Sequence, residues 1–148
     1  MLIGTLQLLF KRDLNKLRSE IELYKEEENI WKIEGNIANS AGNLCLHLVG
    51  NLNAFIGREL GRTDYVRNRE LEFSLKNVSR KELLNKIDNI ILVVDKSLDN
   101  LDENTLANEY PVMVFDKKTS TEYMLIHLVT HLSYHLGQVN YHRRLIER

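Results

Sequence analysis

Histidine is the residue type with the clearest potential for chemistry in this chain. The 148 residues include five histidines and one cysteine, and four of the histidines lie in the last 22 residues. His127, His131 and His135 follow one another at four-residue intervals. Residues four apart lie one turn apart on the same side of a helix, so His131 and His135 can bind one cation together, and Gln138 falls on that side too. This pair is a candidate for one half of a metal site.

A second polar group lies in the otherwise apolar run of residues 44–52. Asn43, His47 and Asn51 recur every four residues and form a polar stripe on one side of a helix. If His47 faces the pair described above, three neutral imidazoles surround one divalent metal and leave positions open for water or substrate. The alternative is that these histidines make ordinary hydrogen bonds, with Asn43, Asn51 and Gln138 as candidate partners.

The residues beside the histidines exclude other familiar sites. A zincin needs a glutamate directly after the first histidine of its pair, whereas positions 128 and 132 are leucine. A ferritin-like di-iron site needs Glu-x-x-His pairs, and no histidine here has a glutamate three residues before it. The sequence has no P-loop and no GxGxxG motif for nucleotide phosphates. Cys45 lies on a different side of its helix from His47, and we expect it to be a buried structural thiol.

Composition restricts the class of partner. The chain has 20 Lys and Arg residues against 21 Asp and Glu residues, and this net charge of -1 excludes a broadly basic surface for nucleic acid. The lone cysteine excludes an intramolecular disulfide and suggests a reducing compartment. No window approaches the roughly 18 uncharged apolar residues of a membrane span, and residues 1–10 are expected to begin a helix rather than to form a signal peptide. We therefore expect a cytoplasmic protein with no nucleic-acid or membrane partner.

The spacing of apolar residues predicts an all-α protein with a single domain, residues 1–148. Near-helical spacing predicts a first helix over residues 2–28 and a second helix over residues 39–60. Capping boxes at Ser79–Glu82 and Thr119–Glu122 predict the starts of a third and a fourth helix. Four helices of this kind are expected to form a four-helix bundle.

The links between these helices differ in length, and this restricts the topology. Residues 29–38 form a short link, whereas residues 61–78 and 101–118 form long ones. About 18 extended residues exceed the roughly 30 Å length of a 20-residue helix, so each long link can cross the bundle from end to end. We therefore expect long crossover connections between helices.

Several features outside the histidines are expected to be structural. Three glycines lie near one side of the second predicted helix: Gly42, Gly50 and Gly57. Each costs up to about 1 kcal/mol relative to alanine, so we expect them to permit close approach of a neighbouring helix. The loop at residues 62–73, with Arg67 and Arg69, is expected to cap the bundle through ion pairs or to line a cavity mouth. Trp31 and Ile33 are expected to close one end of the core.

Three segments together resemble the DinB/YfiT-like superfamily, in particular its small uncharacterised members. They are residues 39–52, residues 65–73 and residues 131–138. The resemblance implies a four-helix bundle of up-down-down-up topology, often a homodimer, in which a histidine of the second helix and an HxxxH pair of the fourth hold one divalent metal. The matching ligands in this sequence are His47, His131 and His135. His127 and His142 lie outside the motif.

The resemblance also implies a class of chemistry. Characterised members of that superfamily include transferases and isomerases that use low-molecular-weight bacterial thiols. This implies zinc or nickel, with iron or manganese as alternatives, in a protein that activates a thiol or water toward an unidentified small-molecule substrate. Two other classes remain open: a non-catalytic metal-binding or stress-response module, and a structural dimer without metal. The sequence places no obvious carboxylate base beside the histidines, and this favours the non-catalytic module.

Overall fold

Five α-helices and no β-strand make up the chain, in a computed structural model that describes residues 1–148. The α-helices in chain order are α1 (Leu2–Leu23), α2 (Ala41–Leu52), α3 (Arg69–Ser74), α4 (Arg80–Asp99) and α5 (Thr121–Ile146). The remaining helical segments are two 3-10 turns (Glu27–Trp31 and Glu103–Thr105) and a π-helical segment (Asn53–Arg58) that continues α2. The predicted all-α class is confirmed.

Side-chain caps fix where the later helices begin. Ser79 Oγ accepts a hydrogen bond from the Glu82 backbone N–H at 3.1 Å, as the capping box predicts. At α5 the cap is Ser120, whose Oγ accepts from the Tyr123 N–H at 3.1 Å. The predicted cap at Thr119 is therefore wrong by one residue, because the Thr119 carbonyl still accepts a hydrogen bond from the link that precedes it.

The first two helices also differ from their predicted limits. α1 ends at Leu23, because Tyr24 leaves helical geometry with φ −59° and ψ 127° and buries its ring in the core. Ser40 caps α2, and its Oγ accepts from the Asn43 N–H at 3.1 Å. The π-helical continuation carries α2 to Arg58, close to the predicted end. An extra residue in one turn changes which side chains face the core beyond that point.

Contacts of α1 with its neighbours define their relative directions. Ile3, at the start of α1, donates to Glu103 just beyond α4, while Arg80 at the start of α4 donates to the Tyr24 carbonyl at 2.7 Å. α1 and α4 therefore run antiparallel. Arg143, near the end of α5, pairs with Glu20 near the end of α1 at 2.8 Å. α1 and α5 therefore run parallel.

Contacts of α2 define its direction relative to α5 and α4. Leu44, near the start of α2, lines one cavity with residues 138–145 at the end of α5, so these two helices run antiparallel. At its other end α2 approaches the later part of α4, where a Cβ added to Gly57 would lie 2.9 Å from Val93. Trp31, before α2, donates to the carbonyl of Val78, before α4, at 3.2 Å. α2 and α4 therefore run parallel.

One core of 30 buried apolar residues lies between α1, α2, α4 and α5. Trp31 closes part of it, as predicted, and its ring occupies the space that a Cβ on Gly42 would need, 2.6 Å away. Ile33 is 49% exposed, so its predicted place in the core is wrong, because the chain has turned outward after the 3-10 segment. None of the helices combines the length and the apolar composition that crossing a membrane requires.

Candidate metal centre

Three histidines from two antiparallel helices meet in the interior of the protein. His47 comes from α2 and His131 and His135 come from adjacent turns of α5; we call them the histidine trio. His131 Nε2 lies 3.3 Å from His47 Nε2 and 3.2 Å from His135 Nε2. One ligand atom from each of the three side chains lies within 4.8 Å of the others. His47 is buried and the other two are half-buried, so one side of the trio faces outward.

The hydrogen bonds of the outer ring nitrogens fix the state of two members of the trio. His47 Nδ1 lies 3.0 Å from Glu72 Oε1, and an ionised carboxylate only accepts hydrogen bonds, so Nδ1 carries the proton. His135 Nδ1 likewise donates to Gln138 Oε1 at 2.7 Å. These bonds select the Nδ1–H tautomer, and in the neutral form of that tautomer Nε2 of each side chain directs a lone pair toward His131. Gln138 is thus a histidine partner, as the sequence predicts.

His131 cannot satisfy both of these lone pairs with a proton of its own. A proton on Nε2 reaches one neighbour at a time, and its Nδ1 is buried without a hydrogen-bond partner. A second proton is disfavoured, because burial and the nearby His135 and His47 lower the pKa of His131 to about 4. Three nitrogen atoms that converge in this way leave an electron-rich centre that a cation would neutralise.

The spacing of the nitrogens fits a small divalent metal. Imidazole nitrogens bind zinc at about 2.0–2.1 Å, and tetrahedral geometry then separates two such nitrogens by about 3.3 Å. The two separations measured from His131 Nε2 are 3.3 and 3.2 Å. Two of the three separations in the trio therefore match neighbouring tetrahedral positions, the ligand atoms of His47 and His135 lie within 4.8 Å of each other, and the partly exposed side leaves room for water or substrate.

A carboxylate supports the trio from behind His47. Glu72 lies in α3, is 6% exposed, and shares its two oxygens between His47 Nδ1 and the Arg67 guanidinium. Arg67 donates from Nε to Oε2 and from Nη2 to Oε1, both at 2.9 Å. Burial opposes ionisation of this carboxyl, but the hydrogen bonds from His47 and Arg67 hold its pKa below the ordinary value. A carboxylate that accepts from a ligating histidine orients the ring and raises its basicity as a ligand.

The short helix α3 reaches His47 because α2 leaves room for it. Gly50 lies directly against Glu72, and a Cβ at this position would lie 2.7 Å from Glu72 Cδ. Asn43 anchors the same segment, since its Nδ2 donates to the carbonyls of Glu72 and Leu75 at 2.9 and 2.8 Å. Asn43 therefore holds α3 in place and makes no hydrogen bond to a histidine. Gly50 permits the close approach that the sequence predicts, and the group that approaches is the Glu72 carboxylate of the short helix α3.

The loop and the carboxylate are the functional features that the sequence alone did not assign. The expectation that no carboxylate lies beside the histidines is wrong, because Glu72 contacts His47 directly. The expected ion pair forms within residues 62–73, between Arg67 and Glu72, and it belongs to the site instead of capping the bundle. A stretch of loop with paired charges, together with a glycine in a polar stripe, is the signal that could have identified this carboxylate.

The other two histidines and the cysteine lie outside the trio. The His127 ring stacks on the His131 ring at 6.1 Å between centroids and meets Phe115 edge-on. His142 is buried; its Nε2 donates to the Lys32 carbonyl and its Nδ1 accepts from the Tyr24 hydroxyl, both at 2.7 Å. Cys45 is a free, fully buried thiol, as predicted, and burial raises its pKa to about 12.

Fold and site together define an all-α protein with a three-histidine candidate metal centre supported by a carboxylate. The chain belongs to the family described as "Protein of unknown function (DUF1572)", whose family model matches residues 9–148. No curated protein matches the chain.

Proposed function

We propose that this protein binds one divalent metal ion through the Nε2 atoms of His47, His131 and His135. The convergence of three nitrogens, two of which bear the lone pair in the neutral tautomer that a hydrogen bond on the opposite side of the ring selects, is the observation that carries the proposal. Without a cation, this arrangement places lone pairs against one another in a partly buried site.

The proposed fold is a four-helix bundle of the DinB/YfiT-like type with up-down-down-up topology. The directions of the four longer helices support it, since α1 and α5 run one way and α2 and α4 run the other. Only the link between α2 and α4 runs from one end of the fold to the other, because these two helices are parallel. The expected crossover by residues 101–118 is wrong, because α4 and α5 run antiparallel and their link begins and ends at the same end of the fold. Membership of the matched family over nearly the whole chain is consistent with this assignment.

Zinc or nickel is the proposed metal, with iron or manganese as alternatives. Imidazole nitrogens suit zinc, nickel, copper and iron, whereas manganese prefers oxygen ligands. The two separations measured from His131 Nε2 favour the tetrahedral geometry that zinc adopts in most protein sites.

The proposed chemistry is activation of a thiol or a water molecule at the open position. A metal ion lowers the pKa of a bound thiol or water, so that each becomes a nucleophile at neutral pH. In this chain Glu72 would orient His47, and the half-exposed side of His131 and His135 would admit a low-molecular-weight thiol and its small-molecule acceptor. The proposed activity is therefore that of a metal-dependent thiol transferase or hydrolase in the reducing cytoplasm, where such thiols stay reduced.

One observation favours a second candidate, a non-catalytic metal-binding module. Both oxygens of Glu72 are engaged, one by His47 and Arg67 and the other by Arg67 alone. No free carboxylate therefore lies beside the trio to accept a proton from a substrate. Turnover of an electrophilic test substrate with a low-molecular-weight thiol, measured with and without added zinc, distinguishes the two candidates.

A homodimer is also proposed, on the basis of the family resemblance. The outer face of α5 is consistent with it, since Tyr134, Tyr141 and Leu145 expose 66%, 62% and 45% of their surfaces. Sedimentation velocity of the full chain tests this state, and a species of 17.3 kDa at all concentrations would contradict it.

Elemental analysis of protein purified without chelators tests the metal site. Wild type should carry about one ion per chain, and the His131→Ala/His135→Ala variant should carry none. The matched control is His127→Ala, which removes a histidine from the same helix but outside the trio, and should retain the ion. Equal metal content in wild type and the double variant would overturn the proposed site.

A further inference from the structure

Two buried polar atoms near the histidine trio have no hydrogen-bond partner in the protein. They are His131 Nδ1 and Asn51 Oδ1, two of only four such side-chain atoms in the chain. Asn51 is 7% exposed, so its amide oxygen is deprived of bulk water. Buried polar atoms in folded proteins are nearly always paired, so one unpaired atom on each of the two helices that carry the trio calls for an explanation.

The two atoms are chemically complementary once a metal is bound. A cation held by His131 Nε2 requires the ring proton to lie on Nδ1, which makes Nδ1 a hydrogen-bond donor. An amide oxygen is an acceptor. The other members of the trio already donate from Nδ1, His47 to Glu72 and His135 to Gln138. Only His131 lacks the acceptor that ligating histidines almost always have.

The position of Asn51 along α2 places it on the side of the helix that faces His131. Asn51 lies one turn after His47, so the two side chains share a face of the helix, and that face meets α5 at His131. Because α2 and α5 run antiparallel, the turn after His47 lies level with the turn of α5 that precedes His131. His131 Nδ1 and Asn51 Oδ1 do not bond directly, so an intervening water molecule is the simplest link between them.

We propose that Asn51 is the positioning residue for His131, and that one buried water accepts the Nδ1–H of His131 and donates to Asn51 Oδ1. The inference rests on the proposed metal centre. In the proposed arrangement each metal ligand has its own orienting acceptor: Glu72 for His47, Gln138 for His135, and Asn51 through water for His131. Asn51 then contributes to metal affinity without touching the metal.

Zinc affinity of two Asn51 variants tests this role. Asn51→Leu keeps a similar volume but removes the acceptor, and should weaken zinc binding by about 10–100-fold, as loss of an outer acceptor typically does. Asn51→Asp restores an acceptor and should bind zinc within a few-fold of wild type or more tightly. If Asn51 serves only to fill space, the order is reversed, because leucine is tolerated while a buried carboxylate is disruptive. Unchanged affinity in Asn51→Leu, or an equal loss in both variants, would overturn the proposal.

A second test uses the wild-type protein, so its first result does not depend on whether a variant folds. In zinc-loaded, nitrogen-15-labelled protein the His131 Nδ1–H should exchange slowly with solvent and remain visible by NMR, and in Asn51→Leu it should exchange faster. A wild-type spectrum without this proton would overturn the water link. His131→Ala separates the two levels of inference: loss of zinc there with wild-type affinity in Asn51→Leu rejects the role of Asn51 and keeps the metal centre. Failure of wild type to bind zinc rejects both.

Discussion

Replacement of Gly50 by alanine tests whether the Glu72 carboxylate adjusts the metal affinity of the trio. The added Cβ would lie 2.7 Å from Glu72 Cδ, whereas carbon atoms in contact stand about 3.5–4.0 Å apart. The carboxylate must therefore withdraw by about 1 Å, and its 3.0 Å hydrogen bond with His47 Nδ1 would lengthen beyond bonding distance. We expect zinc affinity to fall about 10–100-fold, or about 1.4–2.7 kcal/mol.

Competition for zinc against a chromogenic chelator measures this loss, and thermal unfolding of the metal-free protein shows whether the variant folds. Alanine favours helix by up to about 1 kcal/mol over glycine, which offsets part of the strain on the fold. The matched control is Gly4→Ala in α1, where an added Cβ meets no atom within 4 Å. The control should keep wild-type zinc affinity.

A double-mutant cycle identifies the route of the effect. If alanine at position 50 acts by displacing Glu72, then Glu72→Gln should cause little further loss in the Gly50→Ala background, although it weakens zinc binding by itself. Wild-type zinc affinity in Gly50→Ala would refute the reasoning. Fully additive losses in the double variant would refute it as well, because they would mean that the two residues act independently.

Three further predictions concern groups that burial perturbs. Cys45 should react with a maleimide only after unfolding, because burial raises its pKa to about 12; intact mass before and after urea treatment checks this, and native labelling would contradict it. Metal-free protein should lose on the order of 1–2 kcal/mol of stability between pH 7.5 and 5 from His131 alone, because burial lowers its folded pKa to about 4 from 6.5 and the unfolded chain binds the proton first. Urea unfolding at both pH values measures this loss, and greater stability at pH 5 would refute it. Tyr24→Phe should destabilise the fold by about 1–3 kcal/mol in urea unfolding, since it leaves the buried His142 Nδ1 without its donor; unchanged stability would show that water replaces the hydroxyl.

Much of the helical framework follows from local sequence rules. Ser79 begins α4 because its hydroxyl satisfies an amide of the first turn, and this depends only on residues within that turn. The cap of α5 falls one residue later than predicted, because Thr119 pairs with a distant part of the link. Neighbouring serine and threonine residues have similar capping preferences, so only such tertiary contacts decide between them.

The histidine trio could be predicted because regular helical spacing places His131 beside His135, and a polar stripe in an apolar helix needs partners. Glu72 could not be placed in the same way. It lies in a link with little periodicity, and its approach to His47 depends on the missing side chain of Gly50, 22 positions earlier. Contacts of that kind are set by the packing of the whole fold, and no spacing rule within one element contains them.

The entry of the Glu72 carboxylate past Gly50 also has an evolutionary consequence. A larger residue at position 50 and a glutamate at position 72 compete for the same volume, so substitution at one position should alter which residues selection accepts at the other. Arg67 belongs to the same unit, because its guanidinium neutralises that carboxylate. We therefore expect these three positions to vary together among related proteins, while the three histidines persist independently of them.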